Sequence, residues 1–161
     1  MRSRLIAVPI AALVFAGAVM AFVASPASAD DDHPHSIAVG SVRLSGANEV
    51  PAADPDGFGR FSYIAAGDKL CYILSAFNVD PPFAAHIHVG AAGVNGPIVV
   101  MLETPDPVSA ACITAEPDSS LNSTMVLTQD ELDAIIANEA GYYANVHTAP
   151  FPAGAIRGQL R

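Results

Sequence analysis

Three histidines are the side chains of this sequence best suited to chemistry. His86 and His88 are separated by one residue, and His147 lies in a second segment near the C-terminus. Alternate side chains of a β-strand point to the same side, so His86 and His88 would share one face. With His147 on a neighbouring strand, three imidazoles could converge on one metal ion, and imidazole suits copper and zinc. The sequence therefore predicts a copper or zinc site.

The same histidines also allow a structural interpretation. Buried, hydrogen-bonded imidazoles can rigidify a core, and here they would tie the glycine-rich segment 90–96 to the strand that carries His147. A site for an unrelated ligand is a third possibility. In the metal interpretation, Asn145 shares the face of His147 and supports the ligands from an outer shell, while Arg157 lies nearby to guide anions.

Other patterns that carry catalysis are missing from the sequence. The serines lack a Gly-x-Ser-x-Gly context, and segment 90–96 lacks the Gly-Lys-Ser/Thr ending of a phosphate loop. The spacing of the acidic residues singles out no general acid and base. We therefore assign no catalytic residue and expect no enzymatic activity, with an open metal site as the single route to catalysis.

The first 29 residues have the organisation of a bacterial secretory signal peptide. Two arginines precede the apolar run 5–23, and an Ala-x-Ala cleavage pattern ends at Ala29. The alternative is a retained membrane anchor, because the apolar run is long enough to span a bilayer. We expect cleavage, a secreted or cell-surface location and no stable membrane insertion. The acidic segment 30–35 is then a disordered tail, or a weak metal scavenger through its two histidines.

Removal of residues 1–29 leaves 132 residues, which is one domain with a single core. Five basic and sixteen acidic residues remain, giving a net charge of −11. This charge disfavours nucleic acid and anionic membranes as partners. We expect an extracellular protein, a glycan or a small ligand to bind instead, through the loops at 80–83 and 90–96.

The two cysteines, Cys71 and Cys112, are expected to form a disulfide in an oxidising compartment. The bond would close a loop of about 40 residues, worth roughly 4 kcal/mol in the chain-entropy model. The alternative is a pair of buried free thiols.

Alternating apolar residues and turn signals predict a mostly β domain. The expected strands are 36–44, 57–64, 69–79, 84–89, 97–102, 111–114, 123–127, 142–148 and 155–160, with a hairpin turn at Gly67-Asp68. One segment differs, because Thr128 and Glu131 form a capping box. Helical spacing follows, so we predict a short helix over 129–138 that covers a sheet edge.

The order of these motifs resembles the CHRD (chordin-type) domain, which occurs singly in many exported microbial proteins. The matching segments are 44–51, 57–61, 70–74, 85–90, 93–99, 143–148 and 152–160. The resemblance covers residues 36–161 and implies an exported binding module, because the family brings no defined activity. One departure is Ala155, where the family often has an acidic residue.

A second resemblance concerns the site. A His-x-His pair joined by a later strand histidine is similar to the copper side of Cu,Zn superoxide dismutases, with His86, His88 and His147 in the ligand positions. The two remaining histidines lie in the tail, so no histidine is left to bridge a second metal, and we do not expect a working dismutase. The expected fold is all-β, an antiparallel immunoglobulin-like or superoxide-dismutase-like β-sandwich with one short helix.

Overall fold

The computed structural model describes residues 36–161 of the chain. The signal peptide predicted for 1–29 and the acidic tail predicted for 30–35 lie outside the described residues. Within 36–161, no helix has both the length and the apolar character needed to cross a membrane.

The described residues form eight β-strands and one α-helix, which confirms the prediction of an all-β fold with a single short helix. The strands are β1 (Ile37–Ser45), β2 (Phe58–Ala66), β3 (Lys69–Phe77), β4 (Pro82–Val89), β5 (Ile98–Leu102), β6 (Val108–Thr114), β7 (Tyr142–Thr148) and β8 (Ile156–Gln159). The helix α1 spans Gln129–Ala137 and lies between β6 and β7 in the chain.

All eight strands belong to one antiparallel sheet with the order β5-β4-β7-β8-β1-β2-β3-β6. Strands β1 and β8 are joined by a single residue pair, Ser45 with Arg157, so the sheet consists of two four-stranded halves that meet at a narrow seam. One hydrophobic core draws on the inner face of both halves. The sheet therefore curls into a sandwich-like shape.

Strand β3 shows how alternation produces the two faces of the sheet. Leu70 and Leu74 are fully buried, whereas Ile73 between them is 55% exposed. The β2–β3 hairpin turns at Gly67-Asp68 as predicted, and Gly67 adopts a φ of 58°. Glycine has no Cβ to clash in this left-handed region, so this residue type fits the turn.

Helix α1 begins with the predicted capping box, in which Thr128 and Glu131 each accept from the other's backbone N–H. Leu132 and Ile135 are fully buried in the core, and the Gln129 side chain donates to the carbonyl of Gly67. The helix therefore lies at the end of the sheet that carries the β2–β3 turn. The strand predicted for 123–127 is wrong, because that segment holds only an isolated bridge and a turn.

The predicted disulfide is present between Cys71 and Cys112. The two residues lie directly opposite each other on the neighbouring strands β3 and β6. The bond therefore fastens the last strand of this half to the sheet, on the face that points away from the core.

Candidate metal centre

The register of β4 and β7 brings the three histidines to one face. His86 lies opposite Asn145, and His147 lies opposite Ala84. His86 and His88 alternate with the core residues Ala85 and Ile87. Their side chains therefore point away from the core, onto the outer face of the half-sheet formed by β5, β4, β7 and β8.

Two loops cover this outer face and bury the histidines. His86, His88 and His147 are only 7%, 8% and 7% exposed. The β4–β5 loop supplies the carbonyl of Gly96, 2.9 Å from His88 Nδ1. The β7–β8 loop supplies the carbonyl of Pro152, 3.0 Å from His147 Nδ1. The site is thus enclosed by loop backbone, although its side chains stand outside the hydrophobic core.

These two carbonyls decide the tautomers of two imidazoles. A carbonyl oxygen only accepts, so Nδ1 of both His88 and His147 must carry the proton. Nε2 of each ring is then left with a free lone pair. Metal-ligating histidines are held in this way, with the second nitrogen donating to a carbonyl or carboxylate.

His86 completes the group from the same strand as His88. Its Nδ1 lies 3.0 Å from His147 Nε2, and the ligand atoms of the three rings all lie within 4.8 Å of one another. Because His147 Nε2 can only accept, His86 Nδ1 donates to it. A metal ion at this point would replace the shared proton with bonds to both nitrogens.

The electrostatic environment keeps all three rings neutral at neutral pH. Burial, together with the neighbouring His147 and His88, lowers the pKa of His86 to about 4. Burial also lowers the pKa of His88 and of His147 below the ordinary histidine value, against the opposing effect of the carbonyl each ring binds. Neutral imidazole is the form that binds metals. No imidazolium therefore has to lose a proton, and His86 has only to carry its proton on Nε2 instead of Nδ1.

Three of the buried polar atoms that lack a hydrogen-bond partner lie at the histidine cluster or at the ion pair beside it. Among residues 36–161 the side-chain atoms without a partner are His88 Nε2, Asn145 Oδ1, Thr148 Oγ1 and Glu49 Oε1. Asn145 lies beside His86 in the register, whereas Thr148 follows His147 and therefore points to the opposite face of β7. A buried polar atom without a partner costs about 1–3 kcal/mol, so the three atoms on the outer face are typical of a site that receives a ligand or ion.

An ion pair lies next to the histidines and is almost completely buried. Arg157 Nε donates to Glu49 Oε2 at 3.0 Å, and the two side chains are 4% and 3% exposed. Arg157 also donates to the carbonyl of Val94 and to the Asn95 side chain. Burial raises the pKa of Glu49, and the charge of Arg157 opposes that shift.

The ring of Tyr143 connects this ion pair to the imidazoles. His88 stacks on it with the ring centroids 4.8 Å apart, and the Arg157 guanidinium carbon lies 3.9 Å from its centroid. Asn145 lies opposite His86 on one side and Arg157 on the other. Both residues predicted from the sequence to support the ligands therefore lie in contact range of the cluster.

The role of guiding anions predicted for Arg157 is wrong, because its guanidinium is buried and donates to protein acceptors. Glu49 is the main residue of the site that the sequence did not predict, although it lies within segment 44–51 of the resemblance.

The two loops predicted to bind a partner, 80–83 and 90–96, have different surroundings. The loop at 90–96 supplies acceptors for His88 and Arg157, whereas Phe83 at the start of β4 is 58% exposed, 6.2 Å from the His147 ring.

Comparison with known proteins adds one finding to this geometry. The family model described as the CHRD domain matches residues 40–160, which includes every residue of the site. No curated protein and no solved structure matches the chain.

Proposed function

The chain belongs to the CHRD domain family, and on that premise we propose that it is an exported binding module whose ligand is one copper or zinc ion. His86, His88 and His147 hold the ion through His86 Nδ1 and the Nε2 atoms of the other two. The observation that carries the proposal is the pair of backbone carbonyls, of Gly96 and Pro152, that leave two lone pairs facing a third imidazole.

The alternative interpretation, a structural histidine network, does not explain the arrangement around His88. A network formed for stability pairs its buried polar atoms, yet His88 Nε2 has no partner. His86 and His147 share one hydrogen bond, whereas Asn145 is the side chain that acts on the pKa of His88 by hydrogen bonding, without a well-aligned bond to its Nε2. A metal ion among the three rings would satisfy His88 Nε2 together with the other two nitrogens.

The charges of the neighbouring polar groups are also compatible with a bound cation. The Glu49 carboxylate balances the charge of Arg157, so the cluster carries no uncompensated positive charge from the protein. Three neutral imidazoles leave a fourth position on zinc or copper open to water or to a small ligand. Such a site can store or hand over metal, and with copper it can support redox chemistry.

The histidine count limits the function to one metal of this kind per domain. Residues 36–161 contain only these three histidines, and the other two are His33 and His35. A second histidine-based metal bridged to the first, as in Cu,Zn superoxide dismutases, therefore has no ligands within the domain. For this reason we propose metal binding and handling rather than dismutation.

Elemental analysis tests the proposal on the full chain purified without a histidine tag. After incubation with copper or zinc and desalting, we expect one metal per chain. The single variants His86→Ala, His88→Ala and His147→Ala should each retain much less. The matched control is the double variant His33→Ala/His35→Ala, which removes two histidines and should keep the metal. Folded protein that retains no metal, or metal lost only in the control, would contradict the proposal.

A further inference from the structure

The outer face of the other half-sheet has a second pattern, independent of the histidines. Strands β1, β2, β3 and β6 contain no aspartate or glutamate, and their three basic residues, Arg43, Arg60 and Lys69, are all exposed. The domain as a whole is acidic, with thirteen acidic and five basic residues in 36–161, and its net charge repels polyanions. An anionic group is therefore expected only at these four strands, which carry no acidic side chain. We call the outward-facing residues of these four strands the basic sheet face.

The two arginines are direct neighbours across β1 and β2. Arg43 lies opposite Arg60 in the register, and Arg60 donates to the Ser41 hydroxyl at 2.9 Å. Among the described residues neither arginine forms an ion pair. Like charges directly opposite each other destabilise a sheet. An anionic group bound between the two arginines would reduce the repulsion between their side chains.

The rows on either side of the arginines differ in character. On one side Phe58 and Phe77 lie opposite each other, 46% and 40% exposed, with their rings stacked at 5.6 Å. On the other side the hydroxyls of Ser41 and Ser62 bond to each other at 2.8 Å. Along the strands the face therefore presents an aromatic pair, a cationic pair and a hydroxyl pair in succession.

A shallow apolar groove includes the two serines and continues the face beyond them. Its lining includes Val39, Ile64, Ile73 and the disulfide between Cys71 and Cys112. Half of the large apolar side chains that are exposed within 36–161 lie on this face, namely Ile37, Val39, Phe58, Ile64, Ile73, Phe77 and Val108. Exposed apolar side chains that are grouped on one face and bordered by polar residues are typical of an interaction site.

From these rows we infer that the basic sheet face binds an acidic polysaccharide. Arginine pairs bind carboxylate or sulfate groups through several N–H donors. Aromatic and aliphatic side chains pack against the apolar faces of sugar rings, and serine hydroxyls bond to sugar hydroxyls. A bilayer would need an apolar area without charges, whereas on β1 and β2 the arginine and serine pairs separate the phenylalanine pair from the apolar groove, and the apolar area continues only along β3 and β6 through Val108 and Ile73.

The test measures binding of the full chain to alginate, a polyuronate, and to dextran sulfate, with neutral dextran as the uncharged comparison. We expect binding to at least one acidic polymer and none to dextran. Raising the salt concentration from roughly 0.05 to 0.5 M should weaken binding, because the contacts are between charges. Equal binding to dextran, or no binding to either acidic polymer, would overturn the inference.

Variants separate the basic sheet face from the rest of the surface. Arg43→Ser/Arg60→Ser should weaken binding about tenfold or more, because two charged contacts are lost, and Phe77→Ser should weaken it through loss of stacking. The matched control is Arg161→Ser, since Arg161 is exposed and lies outside the four strands. Thermal unfolding confirms that each variant is folded. Loss of affinity in the control alone, or self-association of the chain through this face, would overturn the inference.

Discussion

At the residue scale, the central feature is that the two nitrogens of each imidazole have different roles. His88 and His147 each use Nδ1 to hold a loop carbonyl, which leaves Nε2 for a ligand. His86 reverses this order and turns Nδ1 towards His147. Sequence spacing alone predicts that the rings share a face, but the tautomers depend on carbonyls of Gly96 and Pro152, which lie in the loops that follow the two strands and whose paths the spacing does not predict.

The lowered histidine pKa values predict that the metal-free domain loses stability in mild acid. In the unfolded chain these histidines take up protons near pH 6.5, whereas in the folded chain His86 resists protonation down to a pKa of about 4. The unfolded state therefore binds more protons, so stability falls as the pH decreases from about 6.5, by roughly 3 kcal/mol for His86 alone. The raised pKa of Glu49 acts in the opposite direction at pH values above its ordinary range, and so makes the fall shallower there.

Urea unfolding at several pH values measures this effect. In a His86→Asn variant the slope of stability against pH should be shallower between pH 6.5 and 5. An unchanged slope in the variant, or a metal-free protein that gains stability in this range, would contradict the burial that we describe.

The buried ion pair predicts a large cost for a nearly isosteric change. Glu49→Gln leaves the Arg157 guanidinium buried without its carboxylate, and loss of one partner of a buried pair costs about 3–5 kcal/mol. The control is Asp68→Asn, whose partner Lys69 is 54% exposed and whose removal should cost about 1 kcal/mol or less. Denaturant unfolding compares the two variants, and equal losses would contradict the structural role of Glu49.

At the element scale, the two loops that cover the histidines are as important as the strands that carry them. Strands β4 and β7 fix which side chains face outward, and alternation makes this part predictable. The path of the β4–β5 loop is not predictable in the same way, because it depends on a close approach between Gly96 and the Val89 carbonyl. Glycines in the sequence indicate a tight connection there, but they do not indicate which carbonyl reaches His88.

The close approach at Gly96 predicts that a single methyl group disturbs the metal site. A Cβ at Gly96 would overlap the carbonyl of Val89, so Gly96→Ala must displace the loop and its hydrogen bond to His88. We expect weaker metal retention in a protein that still folds, measured by elemental analysis after desalting. The control is Ala92→Gly in the same loop, at an exposed position. Unchanged metal retention in Gly96→Ala would contradict the role of this carbonyl.

Removal of the disulfide should lower the stability of the domain without affecting the metal site. Cys71→Ser/Cys112→Ser removes a cross-link between β3 and β6, so the free energy of unfolding should fall by about 2–4 kcal/mol. Metal retention should not change, because the cross-link lies in the other half-sheet from the histidines. Calorimetry and elemental analysis on the same variant measure both effects. Loss of metal in a folded double variant would show that the two halves are coupled.

At the scale of the whole molecule, the two half-sheets share one core but present different outer faces. One outer face is closed by loops over three imidazoles, and the other is open, basic and apolar. The sequence predicts the strands, the helix and the three histidines, because alternation and capping are local patterns. It does not predict Glu49, because the partner Arg157 lies 108 residues away in the chain. It does not predict the basic sheet face either, because that face depends on the register among four strands.

Observation of the imidazole nitrogens during a metal titration tests the central claim most directly. Long-range ¹H–¹⁵N spectra of the full chain with added zinc should show saturation at one ion per chain. The shifts should be largest at His86 Nδ1 and at Nε2 of His88 and His147, with the nitrogens of His33 and His35 nearly unchanged. Spectra in which only the tail histidines respond, or in which no imidazole responds, would contradict a metal site in this domain.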